Sequence, residues 1–210
     1  MIITYLGHAS FKVQYGDIVL SFNPISKESN LKYSRFGADV ALVSLNDKDF
    51  NGVGNLESGN KSAFAITGPG EYEIKGVFIK GFKSQSNYGG KSRLNTIFLL
   101  TLENINLCFL GAMNGEVDKE TLESLDNIDI LFVPIGGNGV LDSSAAYKLA
   151  VNLEPKIIIP MLFGEEKSDS LKKFLKEGGD EKPTIEEKLT IKKKDLEGKE
   201  GEILVLKAQA

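Results

Sequence analysis

The chain has 210 residues, 41% hydrophobic and 26% charged, with a net charge of -4. A chain of this size buries roughly 70% of its unfolded surface, as one large domain or two small ones, and its mild acidity argues against a general nucleic-acid surface. One cysteine and one histidine exclude an intramolecular disulfide, a cysteine-based zinc site and any zinc site built from several imidazoles.

The N-terminal stretch Met1 to His8 lacks a basic region, a long apolar core and a cleavage site, so no signal peptide is expected. The longest apolar runs, such as Ile157 to Phe163, are too short to span a bilayer. A cytoplasmic protein with no membrane or nucleic-acid partner is the expectation. Ile2 to Leu6 reads as a strand. Phe11 to Tyr15 and Ile18 to Phe22 alternate around a Gly16-Asp17 turn, the pattern of an antiparallel meander that Asn23-Pro24 ends. Ser26 to Phe36 is polar and irregular. Ala38 to Val43 and Ala63 to Ile66 read as strands. Gly68 to Glu73 reads as a turn entering a strand-turn-strand from Ile74 to Phe82, and Ser84 to Arg93 as a polar loop. Asn95 to Leu102 and Ile105 to Leu110 form a hairpin across Glu103-Asn104. A short helix is predicted over Lys119 to Leu125.

Ile130 to Ile135, a glycine loop, Ser143 to Leu153 and Lys156 to Met161 read as strand, loop, helix, strand, which makes the two strands parallel. Ser168 or Asp169 caps a last helix that Gly178-Gly179 closes. Leu189 to Ile191 and Glu202 to Leu206 are closing strands, and Lys192 to Lys194 reads as a solvated basic face. No repeat, low-complexity stretch or domain-length linker interrupts the chain, so residues 1–210 are expected to form a single domain of mixed sheets with helices outside.

Val40 to Asn51 is the stretch on which function turns. An apolar strand ends in a loop carrying Ser44, Asn46, Asp47 and Asp49, and strand-end loops are where α/β proteins place their chemistry. Leu45 and Phe50 are out of place in a loop otherwise built of polar groups. The order Tyr5-Leu6-Gly7-His8-Ala9-Ser10-Phe11, Asn23-Pro24, Ser44 to Phe50, Gly68-Pro69-Gly70-Glu71-Tyr72, Leu110-Gly111-Ala112, Pro134-Ile135-Gly136-Gly137 and Pro160-Met161-Leu162-Phe163 resembles the metallo-β-lactamase superfamily. It is most similar to the branch of zinc-dependent hydrolases related to ascorbate-6-phosphate lactonases. The resemblance implies an α/β fold, a four-layer αββα sandwich, and one or two metal ions bound through a Ser/Thr-His-x-His-x-Asp-His signature.

In this chain the signature reads Ser44-Leu45-Asn46-Asp47-Lys48-Asp49-Phe50. By the resemblance, Leu45, Asp47 and Phe50 stand at its histidine positions and Asp49 keeps its aspartate. A later histidine would fall within Ser84 to Ser86. Ala112 stands for a bridging aspartate, Leu162 for the last histidine, and Asn23 for the aspartate of an Asp-Pro turn. Zinc needs imidazole, thiolate or carboxylate donors, so the family's zinc site is expected to be degenerate. Its carbon replacements are expected to converge as an apolar cluster, with no cofactor.

Each sharper reading has a plainer competitor. His8 is a residual polar site or catalytic base, or, more simply, a strand-end histidine hydrogen-bonded to a neighbouring loop. Asp47 and Asp49, with Asn46 or Asn23, offer oxygen ligands to magnesium or calcium, or are solvated and capping groups. Gly89-Gly90-Lys91-Ser92 fails as a phosphate loop because position 85 is Gln85 and a strand, not a helix, follows. Gly136 to Gly139 is a strand-to-helix turn, and Cys108 packs as a small apolar side chain. The expected function is a non-catalytic binding or assembly protein, acting with an unidentified protein partner or with copies of itself, including the case of a regulatory subunit paired with an active relative. The alternative is a metal-dependent hydrolase of a lactone or phosphoester, with a relocated or oxygen-only site.

Overall fold

The computed structural model describes residues 1–57, 59, 62–179 and 183–209. Strands β1 (Ile2–Tyr5), β2 (Phe11–Tyr15) and β3 (Ile18–Phe22) form the expected meander, and β4 (Val40–Leu42) and β5 (Phe64–Ile66) extend it in parallel. Strands β6 (Gly70–Ile74), β7 (Val77–Ser86), β8 (Arg93–Leu102) and β9 (Ile105–Phe109) run antiparallel in a second sheet. Helix α1 (Lys119–Ser124) then precedes β10 (Ile130–Pro134), α2 (Ser143–Leu153), β11 (Ile157–Met161) and α3 (Asp169–Glu177). Strands β12 (Thr184–Glu186), β13 (Leu189–Thr190) and β14 (Glu202–Leu206) close the chain. The sheet orders are β13-β1-β2-β3-β4-β5 and β12-β14-β11-β10-β9-β8-β7-β6.

Alternation sets which side chains enter the sandwich. Phe11 and Val13 of β2 point in while Lys12 and Gln14 stay at least partly in water. Phe11, Phe22, Phe109 and Phe132 meet between the sheets, with ring centroids 4.9 Å apart for both Phe22–Phe109 and Phe11–Phe132. Ala41 points the other way, into a smaller cluster with Ala38 and Leu56 on the outer face of the first sheet. Among the described residues the cover there is a 3-10 turn at Val53–Leu56 and irregular chain, not an α-helix. Helix α2 packs on β10 and α3, so the helical layer lies against the second sheet.

Three local readings are corrected, and one strand has no counterpart among them. Gly68 to Glu73 is not simply a turn: the chain is already strand from Gly70, because Gly70 to Ile74 pairs with Gly81 to Val77 along a solvent-facing sheet edge. Ser84 to Arg93 is not one polar loop. β7 runs to Ser86 and β8 starts at Arg93, in the register Ser86↔Arg93. Serines 84 and 86 are buried there, and partners across the sheet let polar residues occupy strand. Strand β12 carries no local signal and exists through its parallel pairing with β14. Lys193 is not merely solvated, since its Nζ donates to Asp129 at 2.6 Å beside Lys156 at 2.8 Å. The cap of α3 is Ser168, whose Oγ accepts from the Leu171 N–H. Among the described residues no helix is long and apolar enough to cross a membrane.

Candidate functional site

The turn after β1 and the ends of β3, β4, β9 and β11 deliver His8, Asn23, Ser44 to Phe50, Ala112 and Leu162. Three of these residues, none a glycine, hold left-handed backbone: His8 (φ 57), Asn23 (φ 43) and Leu162 (φ 61). Asparagine tolerates that region, whereas leucine and histidine adopt it at a cost that surrounding structure must impose. The Leu162 N–H donates to the His8 carbonyl at 2.9 Å. A side chain at Gly136 would strike the Leu162 carbonyl, so the neighbouring strand can approach only as glycine. The special backbone therefore persists around a residue whose own side chain does not require it.

Two asparagines tie the ends of the sheets. The Ser44 N–H donates to Asn23 Oδ1 at 2.7 Å, and Asn23 Nδ2 donates to Ser44 Oγ at 2.9 Å. Asn95 Nδ2 donates to Leu110 O at 2.9 Å and Ser84 Oγ at 2.7 Å, and Asn95 Oδ1 accepts from the Ala112 N–H at 2.9 Å. The Thr96 N–H reaches Ser44 O at 2.9 Å, which links β8 of one sheet to the β4 loop of the other. Asn23, Ser44 and Asn95 are fully or almost fully buried, so each bond replaces one with water.

Leu45, Phe50, Ala112 and Leu162 all lie in the main apolar cluster and are buried. Phe50 meets His8 edge-on at 5.0 Å and Tyr88 at 4.9 Å, and His8 meets Tyr88 at 5.6 Å. The plain reading of His8 needs correcting in one respect. Its backbone carbonyl takes hydrogen bonds from Leu162 N–H and Tyr5 Oη, but its Nε2 is buried with no partner. Burial pushes the imidazole down to about 4, against a smaller upward pull from Asp49 and Asp47.

The two carboxylates are not free in water, since each accepts hydrogen bonds within the protein. Asp47 Oδ2 accepts from Arg93 Nη1 at 2.8 Å and Oδ1 from the Asp49 N–H at 3.0 Å. Burial alone would raise the Asp47 carboxyl, but these bonds outweigh it and hold it below the ordinary range. Asp49 accepts from Ser29 Oγ at 2.5 Å and from Tyr88 Oη at 2.8 Å. Burial first, then Asp49, pushes the Tyr88 phenol far up, so it donates as a neutral group. Arg93 also donates to the carbonyls of Asn46 at 3.2 Å and Tyr88 at 2.8 Å. The segment at 86–93 is thus stapled across the 46–49 loop.

Arg93, Tyr88, Asn95 and Ser29 were not singled out by sequence reasoning. Their partners lie 46, 39, 17 and 20 residues away, and no local spacing encodes such pairs. Cys108 is buried on β9, and burial pushes its thiol far up, as expected of a packing residue. Gly136 to Gly139 forms the strand-to-helix turn, bridged from Gly136 to Asp142. Gly89 and Gly90 precede a strand, not a helix.

The family profile described as "Beta-lactamase superfamily domain" matches residues 2–162. The chain belongs to the metallo-β-lactamase superfamily. A UPF0173 metal-dependent hydrolase from Carboxydothermus hydrogenoformans is 27% identical over 198 residues, covering 77% of this chain and 84% of the relative. A crystal structure from Thermotoga maritima, assigned to Zn-dependent hydrolases of the metallo-β-lactamase superfamily, superimposes with a TM-score of 0.77 at 26% identity, over 98% of this chain and 97% of that one. YhfI of Bacillus subtilis, a metallo-β-lactamase fold protein, shares the fold at a TM-score of 0.63 and 13% identity, over 99% and 96% of the two chains.

Membership of the superfamily raises the question of metal. Zinc takes about four nitrogen, sulfur or oxygen donors close together. Among the described residues no group of three or more His, Cys, Asp or Glu side chains is placed to hold an ion. Leu45, Phe50, Ala112 and Leu162 offer carbon only. Asp47 and Asp49 already serve Arg93, Tyr88 and Ser29. This donor set does not fit a metallo-β-lactamase zinc ion.

Proposed function

We propose that this chain keeps the metallo-β-lactamase scaffold as a non-catalytic binding or assembly protein, acting as a single domain over residues 1–210 with a protein partner or with its own copies. The observation that supports this reading is a buried apolar cluster at Leu45, Phe50, Ala112 and Leu162. Four positions that the family resemblance assigns to ligands hold buried carbon side chains, and the carboxylates beside them are bonded to Arg93, Tyr88 and Ser29. Freeing those carboxylates for an ion would break charge-assisted bonds and leave Arg93 partly buried without its anion. The test is metal content by mass spectrometry after incubation with zinc, manganese and magnesium and desalting. The expected result is metal far below one ion per chain and a melting temperature unmoved by chelator. One ion per chain, with chelator-sensitive hydrolysis of a phosphodiester or lactone, overturns the reading.

A second reading is a metal-dependent hydrolase of a lactone or phosphoester with an oxygen-only site at Asp47 and Asp49. The names of the Carboxydothermus and Thermotoga relatives favour it, as does the unbonded Nε2 of His8 near those carboxylates. Magnesium or calcium would accept such ligands. On this reading Asp49→Ala abolishes hydrolysis while the fold survives, and unchanged hydrolysis in that variant removes it.

A further inference from the structure

A groove of about 770 Å³ opens between the 115–117 segment, α1 and α2. A hollow of about 340 Å³ continues it past Leu122, Asn152 and Glu154, which line both. The floor is apolar. Leu141 is buried there, while Val117, Leu122 and Leu149 pack on the core and stay partly open to solvent. Val151 stands beside them, 55% exposed. Helix α2 buries Ala146, Ala150 and Leu153 against the protein, so Leu149 and Val151 give it a second apolar flank with nothing on it. The side formed by residues 116–126 is acidic. Glu116, Asp118, Glu120, Glu123 and Asp126 are all exposed, and the one base among them, Lys119, lies 3.6 Å from Glu123. Five acids against one lysine equal the net charge of the whole chain, -4, so the excess acid is gathered at this groove.

An apolar groove with an acidic side fits an apolar segment flanked by bases. The chain itself presents one. Residues 26–36 have no regular secondary structure, carry Lys27, Lys32 and Arg35 against Glu28, and expose Leu31 at 37% and Tyr33 at 39%. The Arg35 guanidinium lies 5.7 Å from the Tyr33 ring centroid and Lys12 Nζ 5.3 Å from that of Phe36, so cations are held beside the apolar groups. The segment is tied down at its start, where the Ser26 N–H donates to Lys48 O at 2.9 Å and Ser29 Oγ to Asp49 at 2.5 Å. At its end Phe36 packs with Ala38, Ala41 and Leu56 on the outer face of the first sheet, whereas α2 packs on the second. The basic segment and the acidic groove therefore lie on opposite faces of the sandwich, and the segment of one copy cannot enter its own groove.

We propose that the groove between α1 and α2 receives the 27–35 segment of a second copy, with Leu31 and the Tyr33–Arg35 pair on its apolar floor and Lys32 toward its acids, so that copies join head to tail. Two unlike surfaces make a heterologous contact, which goes on to a ring or an open chain instead of stopping at a two-fold dimer. The inference rests on the assembly reading and names the two surfaces that assemble.

The test is sedimentation equilibrium of the full chain and of two variants, one altered in the groove (Val151→Arg with Glu116→Lys) and one in the segment (Leu31→Glu with Lys32→Glu). All four positions are exposed, so both variants should keep the wild-type melting temperature. The wild-type chain is expected to exceed dimer mass as its concentration rises, with association about tenfold weaker at about 0.5 M salt than at about 0.05 M. Each variant alone should stay monomeric. Mixed together they should form a dimer and stop there, because the mixture holds one intact segment and one intact groove per pair. A wild-type chain still monomeric at about 1 mM overturns the proposal. So does a wild-type assembly that ends at a dimer, association untouched by either variant, or a mixture of variants that does not pair. Binding of a basic amphipathic peptide at the groove of a chain that stays monomeric would make the occupant a foreign helix and also overturns it. A metal-free monomer would leave the non-catalytic reading standing through a different partner. Head-to-tail association in a chain that holds one metal ion and hydrolyses a phosphodiester would support the interface and overturn that reading instead.

Discussion

Lowering the pH from about 7 to about 5 should cost this protein about 2 kcal/mol through His8 alone. The ring packs against Phe50 and Tyr88 with Nε2 unbonded, and burial pushes its pKa from the ordinary 6.5 down to about 4. Between those two values the unfolded chain binds a proton that the folded chain refuses. Stability therefore rises with pH across that window and is lost on acidification, at about 1.4 kcal/mol per pH unit and about 3 kcal/mol in all. Asp47 and Asp129 do not blur the window. Burial raises both, but their hydrogen-bonded partners outweigh it and hold them below the ordinary 3.8, so their contributions are lost only at lower pH. The assay is urea unfolding at about pH 7 and about pH 5 for the wild-type chain and for His8→Asn, which tolerates the left-handed φ of 57. As the chain has one histidine, its imidazole proton resonance can be followed without ambiguity. An imidazole that titrates near 6.5 in the folded protein, or a His8→Asn variant with the wild-type loss of stability, would refute the reasoning.

Asn95→Ala should destabilise the fold by about 3 kcal/mol in urea unfolding, because the Ala112 N–H, the Leu110 carbonyl and Ser84 Oγ all lose a buried partner. Phe50→Ala removes a fully buried ring and should cost about 3–5 kcal/mol. It should also move the His8 titration upward, toward its solvated value, in the same proton spectra. Arg93→Ala should cost about 1–2 kcal/mol, since the pair with Asp47 is only partly buried. Carboxyl carbon shifts of Asp47 should then report a raised pKa. An unmoved Asp47 would mean that the Asp49 N–H holds it down without help from Arg93.

Much of this protein is written in residue order. Alternation in Phe11 to Tyr15 and Ile18 to Phe22, with Gly16-Asp17 between them, determines a hairpin wherever it is placed. The run from Ile130 through Ser143 to Met161 determines a parallel βαβ unit, because a helix between two buried strands admits little else. The count of one histidine by itself rules out a site of several imidazoles. Tertiary structure decided the rest. Polar Ser84, Ser86 and Asn95 read as loop or strand end, yet they sit buried in or beside a ladder in which Ser84 and Asn95 pair with each other, Asn95 bonds the loop after β9, and the next residue, Thr96, reaches Ser44 of the other sheet. Asp47 and Asp49 read as possible ion ligands, yet Arg93 and Tyr88 reach them from 46 and 39 residues away. Leu162 lies just past the strand that the sequence ends at Met161, and nothing local in the sequence announces its φ of 61. Period and turn chemistry act within a few residues and are legible there. The partners of a buried polar group are chosen across the sandwich, and only the packed sheets bring them together.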